Sequence, residues 1–203
     1  MNQSGMIRWW LVRHAPVINP GGAIYGRRDL DCDVTDTERV QATASRLPQK
    51  ATWLVSPLKR THQTARAIGG DPKALTLEPD LIEQDFGDWQ GMSHDQIAKE
   101  RPEESRRFWL APAELAPPGG ESFAALCARV GPMLERRSAE CSAEIGTGDI
   151  IAVCHGGTIR AAVAHALELS PATSLRIKVD TLSLTCLERY PDGAWAVGSV
   201  NRI

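Results

Sequence analysis

The sequence lacks the features of a membrane protein, of a disulfide-bonded secreted domain and of a nucleic-acid-binding protein. Its apolar runs all fall well short of the ~20 residues that a membrane-spanning helix needs. Its five cysteines are scattered and odd in number, with no close pair at metal-ligand spacing, so neither a disulfide framework nor a zinc site is indicated. The formal net charge is only -2, with acidic and basic residues mixed along the chain, which excludes nucleic acid and anionic membranes as expected partners.

The composition that is present is that of an ordinary globular domain. A chain of 203 residues with 42% hydrophobic content can bury a full core, and we expect a single domain over residues 1–203. The first residues lack the charged and apolar regions of a signal peptide, so we expect a cytoplasmic protein, either a monomer or a homodimer.

Short apolar runs alternate with helical patterns along most of the chain. The predicted strands are residues 7–12, 52–56, 75–77 and 149–154, each followed by a helical or loop segment. This β-α-β-α order predicts an α/β fold, a three-layer α/β/α sandwich with a mostly parallel central sheet. Near the end, residues 180–189 and 194–200 alternate like a closing hairpin around Pro191-Asp192-Gly193.

One segment interrupts this alternation. Residues 93–110 have a helical pattern that breaks near Pro102, and residues 112–120 are rich in proline and glycine. We therefore expect a helical lid or insertion around residues 92–120.

Two histidines and two arginines lie where predicted strands end. Arg13 and His14 follow the first strand, Arg60 lies one helical turn beyond the second, and His155 follows residues 149–154. Because ligands of open α/β sheets bind at the carboxyl ends of the strands, we expect these side chains to converge. Guanidinium groups match phosphate oxygens, and helix N-termini add partial positive charge, so the predicted ligand is a phosphoryl group.

Two small residues flank this predicted pocket. Gly156 would let the backbone approach an oxyanion closely, because it has no side chain to block the approach. Ser56, at the end of the second strand, is either a helix cap or a ligand.

Four sequence blocks resemble the signature blocks of the histidine phosphatase superfamily, which is also called phosphoglycerate-mutase-like. The blocks are residues 11–14, 56–65, 81–91 and 155–160, so the resemblance covers residues 7 to about 160. An Arg-His pair alone would mean little, but four blocks in the proper order are a specific signal. The resemblance implies the phosphoglycerate-mutase-like fold and a phosphomonoesterase that forms a phosphohistidine without metal or cofactor.

The same resemblance assigns roles to individual residues. It makes His14 the nucleophile and Glu83 the general acid, with Asp85 and Asp88 as close rivals of Glu83. It makes His155 both a catalytic residue and a phosphate ligand. The phosphate-binding positions that it implies are Arg13, Arg60 and His155, to which the absence of a side chain at Gly156 adds that residue. A neutral imidazole is a good nucleophile near pH 7, since its unperturbed pKa is ~6.5.

Two loops resemble one branch of that superfamily. Residues 22–30 and 117–122 look like those of the branch that contains α-ribazole-5'-phosphate phosphatases of cobalamin assembly. By this likeness Tyr25, Arg27 and Arg28 are candidate substrate-binding residues, and the partner is a small phosphorylated substrate.

The first block departs from the usual pattern of the superfamily. That pattern runs Arg-His-Gly and continues to a threonine and an asparagine, whereas this chain has Ala15, Val17 and Pro20. A contact to the phosphate is therefore either missing or supplied by the following loop.

Three alternative functions remain open from the sequence. A phosphoglycerate-type mutase would need extra segments over the pocket, and the chain looks short for that, so we favour hydrolysis. Cys154 and Arg160 fit the cysteine, five residues, arginine pattern of cysteine-dependent phosphatases, but this reading leaves the Arg13-His14 block unexplained. The third alternative is a non-catalytic module that binds a phosphorylated ligand.

Overall fold

The computed structural model describes residues 5–19, 21–145 and 148–203. The strands are β1 (Ile7–Arg13), β2 (Thr52–Val55), β3 (Leu75–Leu77), β4 (Gly148–Cys154), β5 (Leu184–Arg189) and β6 (Trp195–Arg202). The helices are α1 (Thr37–Ala44), α2 (Lys59–Ala67), α3 (His94–Glu100), α4 (Pro102–Leu110), α5 (Phe123–Ile145), α6 (Gly156–Ala166) and α7 (Pro171–Ser174). Two single turns of 3₁₀ helix cover Pro79–Leu81 and Gly87–Trp89.

In the described part of the chain, the six strands form one sheet in the order β3-β2-β4-β1-β5-β6. The first four of these run parallel, and β5 and β6 complete the sheet as an antiparallel edge. The predicted closing hairpin is confirmed, but β5 begins only at Leu184. Residues 180–183 form a turn instead, in which the Ser183 N–H donates to the carbonyl of Asp180.

Side chains on the two faces of the sheet pack into two apolar clusters. Trp9 and Leu11 of β1 face one way, into a cluster that contains Leu126 of α5 and Ile159 of α6. Val12 faces the other way, in a cluster with residues of α1 and α2. This alternation follows from the period of two along a strand, and it confirms the predicted α/β/α sandwich.

The segment around residues 92–120 contains α3 and α4, with the predicted break at Pro102. A capping box between Ser93 and Gln96 begins α3, and Pro102 is the first residue of α4. These helices have a small apolar cluster of their own, built from Trp89, Ile97 and Phe108. Their action as a lid stays a prediction.

None of the described helices is both long and apolar enough to cross a bilayer.

Candidate active site

The structure brings His14 and His155 together because their strands are neighbours. In the parallel pair of β1 and β4, Arg13 lies opposite Cys154, so the two histidines leave the sheet side by side. The N–H of His14 donates to the carbonyl of Cys154, and the two ring centroids are 5.1 Å apart. Both rings are buried. The predicted convergence at this edge of the sheet is therefore present.

The tautomer of His14 follows from one hydrogen bond. Its Nδ1 atom lies 2.7 Å from the carbonyl oxygen of Ala15. A carbonyl can only accept, so Nδ1 carries the proton and Nε2 keeps its lone pair. Burial, followed by the charge of Arg60, lowers the pKa of His14 to about 3. The ring is therefore neutral near pH 7, with a free lone pair on Nε2.

The two arginines are held by backbone carbonyls. Arg13 donates from Nη1 to Val179, and Arg60 donates from Nη1 and Nη2 to the carbonyls of Arg28 and Gly26. Carbonyls fix the guanidinium planes without cancelling their charge. Arg60 is fully buried and Arg13 is partly buried, and among the described residues neither arginine has a carboxylate within ion-pair distance.

Unpaired buried charge is costly, so this arrangement is typical of a site that receives an anion. The buried polar atoms that lack a hydrogen-bond partner support the same conclusion. Of the four buried side-chain nitrogen or oxygen atoms that lack a partner within the described ranges, three belong to this pocket. They are Arg13 Nε, Arg60 Nε and His155 Nδ1.

Ser56 orients the second histidine. Its Oγ lies 2.7 Å from Nε2 of His155 but 3.5 Å from the N–H of Leu58, so its closer contact is with the ring. Burial, then the neighbouring His14, holds the pKa of His155 well below its usual value. His155 is therefore neutral, with Nδ1 free for a further partner.

Gly156, the first residue of α6, lies against Arg13. A Cβ atom placed on Gly156 would lie 3.5 Å from Arg13 Nε and 3.5 Å from Nη1 of Arg160. The glycine thus leaves open the space beside a buried donor that has no partner of its own.

The side chain of Glu83 packs against the first turn of α6. Its Oε2 accepts from the N–H of Gly157, and its Oε1 accepts from the N–H of Gln84. A Cβ atom on Gly157 would collide with Oε1, so any other residue there would displace the Glu83 carboxylate. The rivals differ: Asp85 accepts from Gly87 N and lies near Arg27, and Asp88 is exposed near Arg101.

The three candidates in the loop of residues 22–30 occupy different environments. The ring of Tyr25 lies 6.2 Å from that of His14 and 5.0 Å from the Arg60 guanidinium carbon. Arg28 is exposed, and only its carbonyl contacts Arg60. The guanidinium of Arg27 is already bound within the protein: it contacts the Glu83 carbonyl and the carboxylates of Asp85 and Glu121.

Sequence reasoning missed two charged residues that support Glu83. Arg129 of α5 donates to the carbonyls of Asp80, Ile82 and Glu83. Glu121 forms an ion pair with Arg129 and with Arg27. Neither belongs to a strand-end motif. Glu121 lies in the segment 117–122 that resembles one branch of the superfamily, but that resemblance gave it no role.

Comparison with known proteins supplies the family. The sequence profile described as histidine phosphatase superfamily (branch 1) matches residues 9–202. The chain belongs to this superfamily.

Several members of the superfamily are similar over most of the chain. A glucosyl-3-phosphoglycerate phosphatase of Mycobacterium tuberculosis is 33% identical over 80% of this chain and 76% of its own. A bifunctional protein of the same organism is 32% identical over 87% of this chain but only 48% of its own, so the chain spans about half the length of that relative.

Solved structures agree on the fold. A mycobacterial glucosyl-3-phosphoglycerate phosphatase complexed with VO3 superposes with a TM-score of 0.81 at 29% identity, covering 97% of this chain and 99% of that one. The α-ribazole phosphatase of Shigella flexneri gives a TM-score of 0.84, covering 96% of each chain, and at 23% identity it shows the fold alone.

Three positions depart from the usual pattern of the histidine phosphatase superfamily, and the structure describes two of them, Ala15 and Val17. Both have regular backbone contacts. Ala15 is buried, its N–H donates to Thr64 Oγ1 and its carbonyl accepts from His14. Val17 forms an isolated antiparallel bridge with Cys32. Pro20 lies outside the described residues.

The environment of Cys154 does not favour the mechanism of a cysteine-dependent phosphatase. Cys154 is fully buried in the same apolar cluster as Leu11 and Ile150. Burial raises the pKa of its thiol far above the usual range, which opposes thiolate formation.

Proposed function

We propose that this protein is a phosphomonoester hydrolase that works through a phosphohistidine on Nε2 of His14. The observation that carries the proposal is the pairing of a neutral, buried imidazole with the guanidinium groups of Arg60, which is buried, and Arg13, which is partly buried. Among the described residues neither guanidinium has a carboxylate within ion-pair distance. A nucleophile and an anion cradle at one edge of the sheet are the two parts that phosphoryl transfer needs.

In the first proposed step, Nε2 of His14 attacks phosphorus and the ester P–O bond breaks. Charge that spreads over the phosphoryl oxygens is met by the Nε atoms of Arg13 and Arg60 and by Nδ1 of His155. These atoms have no hydrogen-bond partner among the described residues. The leaving alkoxide takes its proton from Glu83.

In the second proposed step, the carboxylate of Glu83 takes a proton from water, and the water oxygen attacks phosphorus. The N–P bond breaks, inorganic phosphate leaves, and His14 returns to its neutral form. Glu83 returns to its protonated form, so the cycle closes without metal or cofactor. Gly157 and Gln84, which hold the two carboxylate oxygens, support a fixed position for this proton carrier.

Two observations bear on the substrate. The curated relatives include phosphatases named for glucosyl-3-phosphoglycerate and, in Hydrogenobacter thermophilus, for phosphoserine, the latter 34% identical over 64% of each chain. Tyr25 lies beside His14, and Arg28 is exposed on the same loop, where both are available to the organic part of a small ester. We therefore propose a small phosphate ester, with α-ribazole 5'-phosphate as a further candidate.

The test is a phosphomonoester panel assayed with EDTA present. It includes p-nitrophenyl phosphate, glucosyl-3-phosphoglycerate, phosphoserine, α-ribazole 5'-phosphate and 3-phosphoglycerate. The unsubstituted chain, His14→Ala and the control His62→Ala, a histidine of α2, are compared. We expect phosphate release from at least one ester, lost in His14→Ala and kept in His62→Ala.

Three other outcomes would contradict the proposal. Exchange between 2- and 3-phosphoglycerate in place of phosphate release would make the protein a mutase. Tight phosphate binding with no turnover of any ester would make it a non-catalytic module. Dependence of activity on a divalent metal would exclude the metal-free cycle.

A further inference from the structure

One carboxylate connects two arginines beside the proposed general acid. Oε1 of Glu121 accepts from Arg129 Nε at 2.9 Å, and Oε2 accepts from Arg27 Nη2 at 3.0 Å and from Arg129 Nη2 at 3.2 Å. The side chain of Glu121 is only 15% exposed, and that of Arg129 only 19%. These are charge-assisted bonds in a half-buried environment, where screening by water is weaker than at the surface.

Both arginines hold the same backbone carbonyl, that of Glu83. Arg27 donates from Nε at 3.0 Å and Arg129 from Nη2 at 3.3 Å. Arg129 also donates to the carbonyls of Asp80 and Ile82. Thr158 of α6 adds a bond to the Ile82 carbonyl at 3.3 Å.

The backbone at Glu83 is not held by regular secondary structure. Glu83 lies between two 3₁₀ turns, in neither helix nor strand, so no ladder of regular hydrogen bonds sets its place. Side chains from outside elements take over that task. Arg27 comes from the loop after β1 and Arg129 from α5. Glu121 lies two residues before the start of α5.

From this geometry we infer that Glu121 is a positioning residue for Glu83, acting through Arg27 and Arg129. The inference rests on the proposed function, in which Glu83 carries the proton. A general acid must lie within hydrogen-bond reach of the leaving oxygen, so a small displacement of the loop removes its effect. Glu121 also offsets the charge of the two arginines, which would otherwise repel the other cations of the pocket.

The test separates proton transfer from the rest of catalysis by the choice of leaving group. A p-nitrophenolate leaves without protonation, whereas the alkoxide of glycerol phosphate needs a proton. The value of kcat/KM for each ester reports the steps up to transfer onto His14, which excludes the later hydrolysis. In Glu121→Gln we expect kcat/KM to fall about 10²-fold for the alkyl ester and about threefold or less for p-nitrophenyl phosphate, since general acid catalysis supplies ~10²–10⁴-fold.

A second variant keeps the test sound if the first does not fold. Arg27→Lys keeps the charge but loses the planar fork whose Nε and Nη2 bond the Glu83 carbonyl and Glu121 separately, so the same split is expected. The matched control is Glu135→Gln. Its carboxylate joins α5 to Arg189 of β5 and Trp195 of β6, and we expect both esters to be turned over as before.

Equal losses on the two esters in Glu121→Gln or Arg27→Lys, with the control unaffected, would overturn the positioning role. The proposed function fails in a different way. If the unsubstituted chain forms no phosphoryl adduct on His14 with p-nitrophenyl phosphate, the proposed cycle is wrong whatever the variants do.

Discussion

The Nδ1 atom of His14 lies 2.7 Å from the carbonyl oxygen of Ala15, its own neighbour in sequence. This contact fixes the tautomer and directs the lone pair of Nε2 to the side that Nδ1 does not use. Because the carbonyl belongs to the next residue, the orientation is set by the way the chain leaves β1. It does not depend on a distant partner.

The lowered pKa of His14 leads to a prediction about pH. Its pKa is about 3 in the folded chain against ~6.5 when unfolded, so the unfolded state binds a proton that the folded state does not. Stability should therefore fall as the pH drops below about 6.5, by at most about 1.4 kcal/mol per pH unit from this residue. Urea unfolding at several pH values measures the slope, and ¹⁵N NMR follows the ring directly. A His14 titration midpoint between pH 6 and 7 would contradict the assigned burial.

Ser56→Ala should weaken catalysis by releasing the ring of His155. Removing Oγ leaves Nε2 of a buried ring without its partner, at a cost of about 1–3 kcal/mol in stability. The matched control is Ser138→Ala, since Ser138 Oγ accepts from Trp9 Nε1 at 2.9 Å in the core. Both variants should lose stability in urea titrations, but only Ser56→Ala should lower kcat/KM. If the two variants lower it equally, the effect is one of folding alone.

Gly157→Ala should displace Glu83. The new Cβ would collide with Oε1 of Glu83 and lie 3.1 Å from Leu126, so the carboxylate must move. We expect kcat/KM for an alkyl phosphate to fall by about tenfold or more, with a smaller loss for p-nitrophenyl phosphate. Gly198→Ala serves as the control, because its Cβ would make only ordinary contacts with Cys186. Turnover of alkyl esters unchanged in Gly157→Ala would remove Glu83 from the role of acid.

Cys154→Ala should keep its activity. The thiol is fully buried and its raised pKa opposes ionisation, so it is not a competent nucleophile. We expect p-nitrophenyl phosphate hydrolysis within about twofold of the unsubstituted chain, and no inactivation by iodoacetamide at this residue. Complete loss in a variant that still folds cooperatively would restore the cysteine mechanism.

The sequence predicted those parts of the fold and site that repeat a local rule. Short apolar runs predicted the buried strands β1 and β4, and the rule that ligands bind at strand ends placed His14 and His155 at one edge. Pro102 marked the boundary between α3 and α4, since proline ends one helix and begins another. Each of these signals needs only a few adjacent residues.

Other features depend on tertiary contacts that no local pattern records. Arg27 looks like a substrate ligand from the sequence, because its loop resembles a known branch, yet its guanidinium bonds the Glu83 carbonyl and Glu121. Arg129 donates to backbone carbonyls of an irregular segment, which accept from any donor and leave no mark in the sequence. Glu121 is linked to these carbonyls only through its ion pairs with Arg129 and Arg27. The start of β5 was predicted too early because Leu182, at φ 60°, turns the chain before the strand begins.

The central claim is that Nε2 of His14 accepts the phosphoryl group, and rapid quench with a ³²P-labelled ester tests it directly. The chain is denatured in base within the first turnover and digested, and the label is located by mass spectrometry. We predict an acid-labile, base-stable adduct on the peptide that contains His14, absent in His14→Ala and present in Cys154→Ala. Steady hydrolysis with label on another residue, or with no covalent label at any time point, would contradict the account.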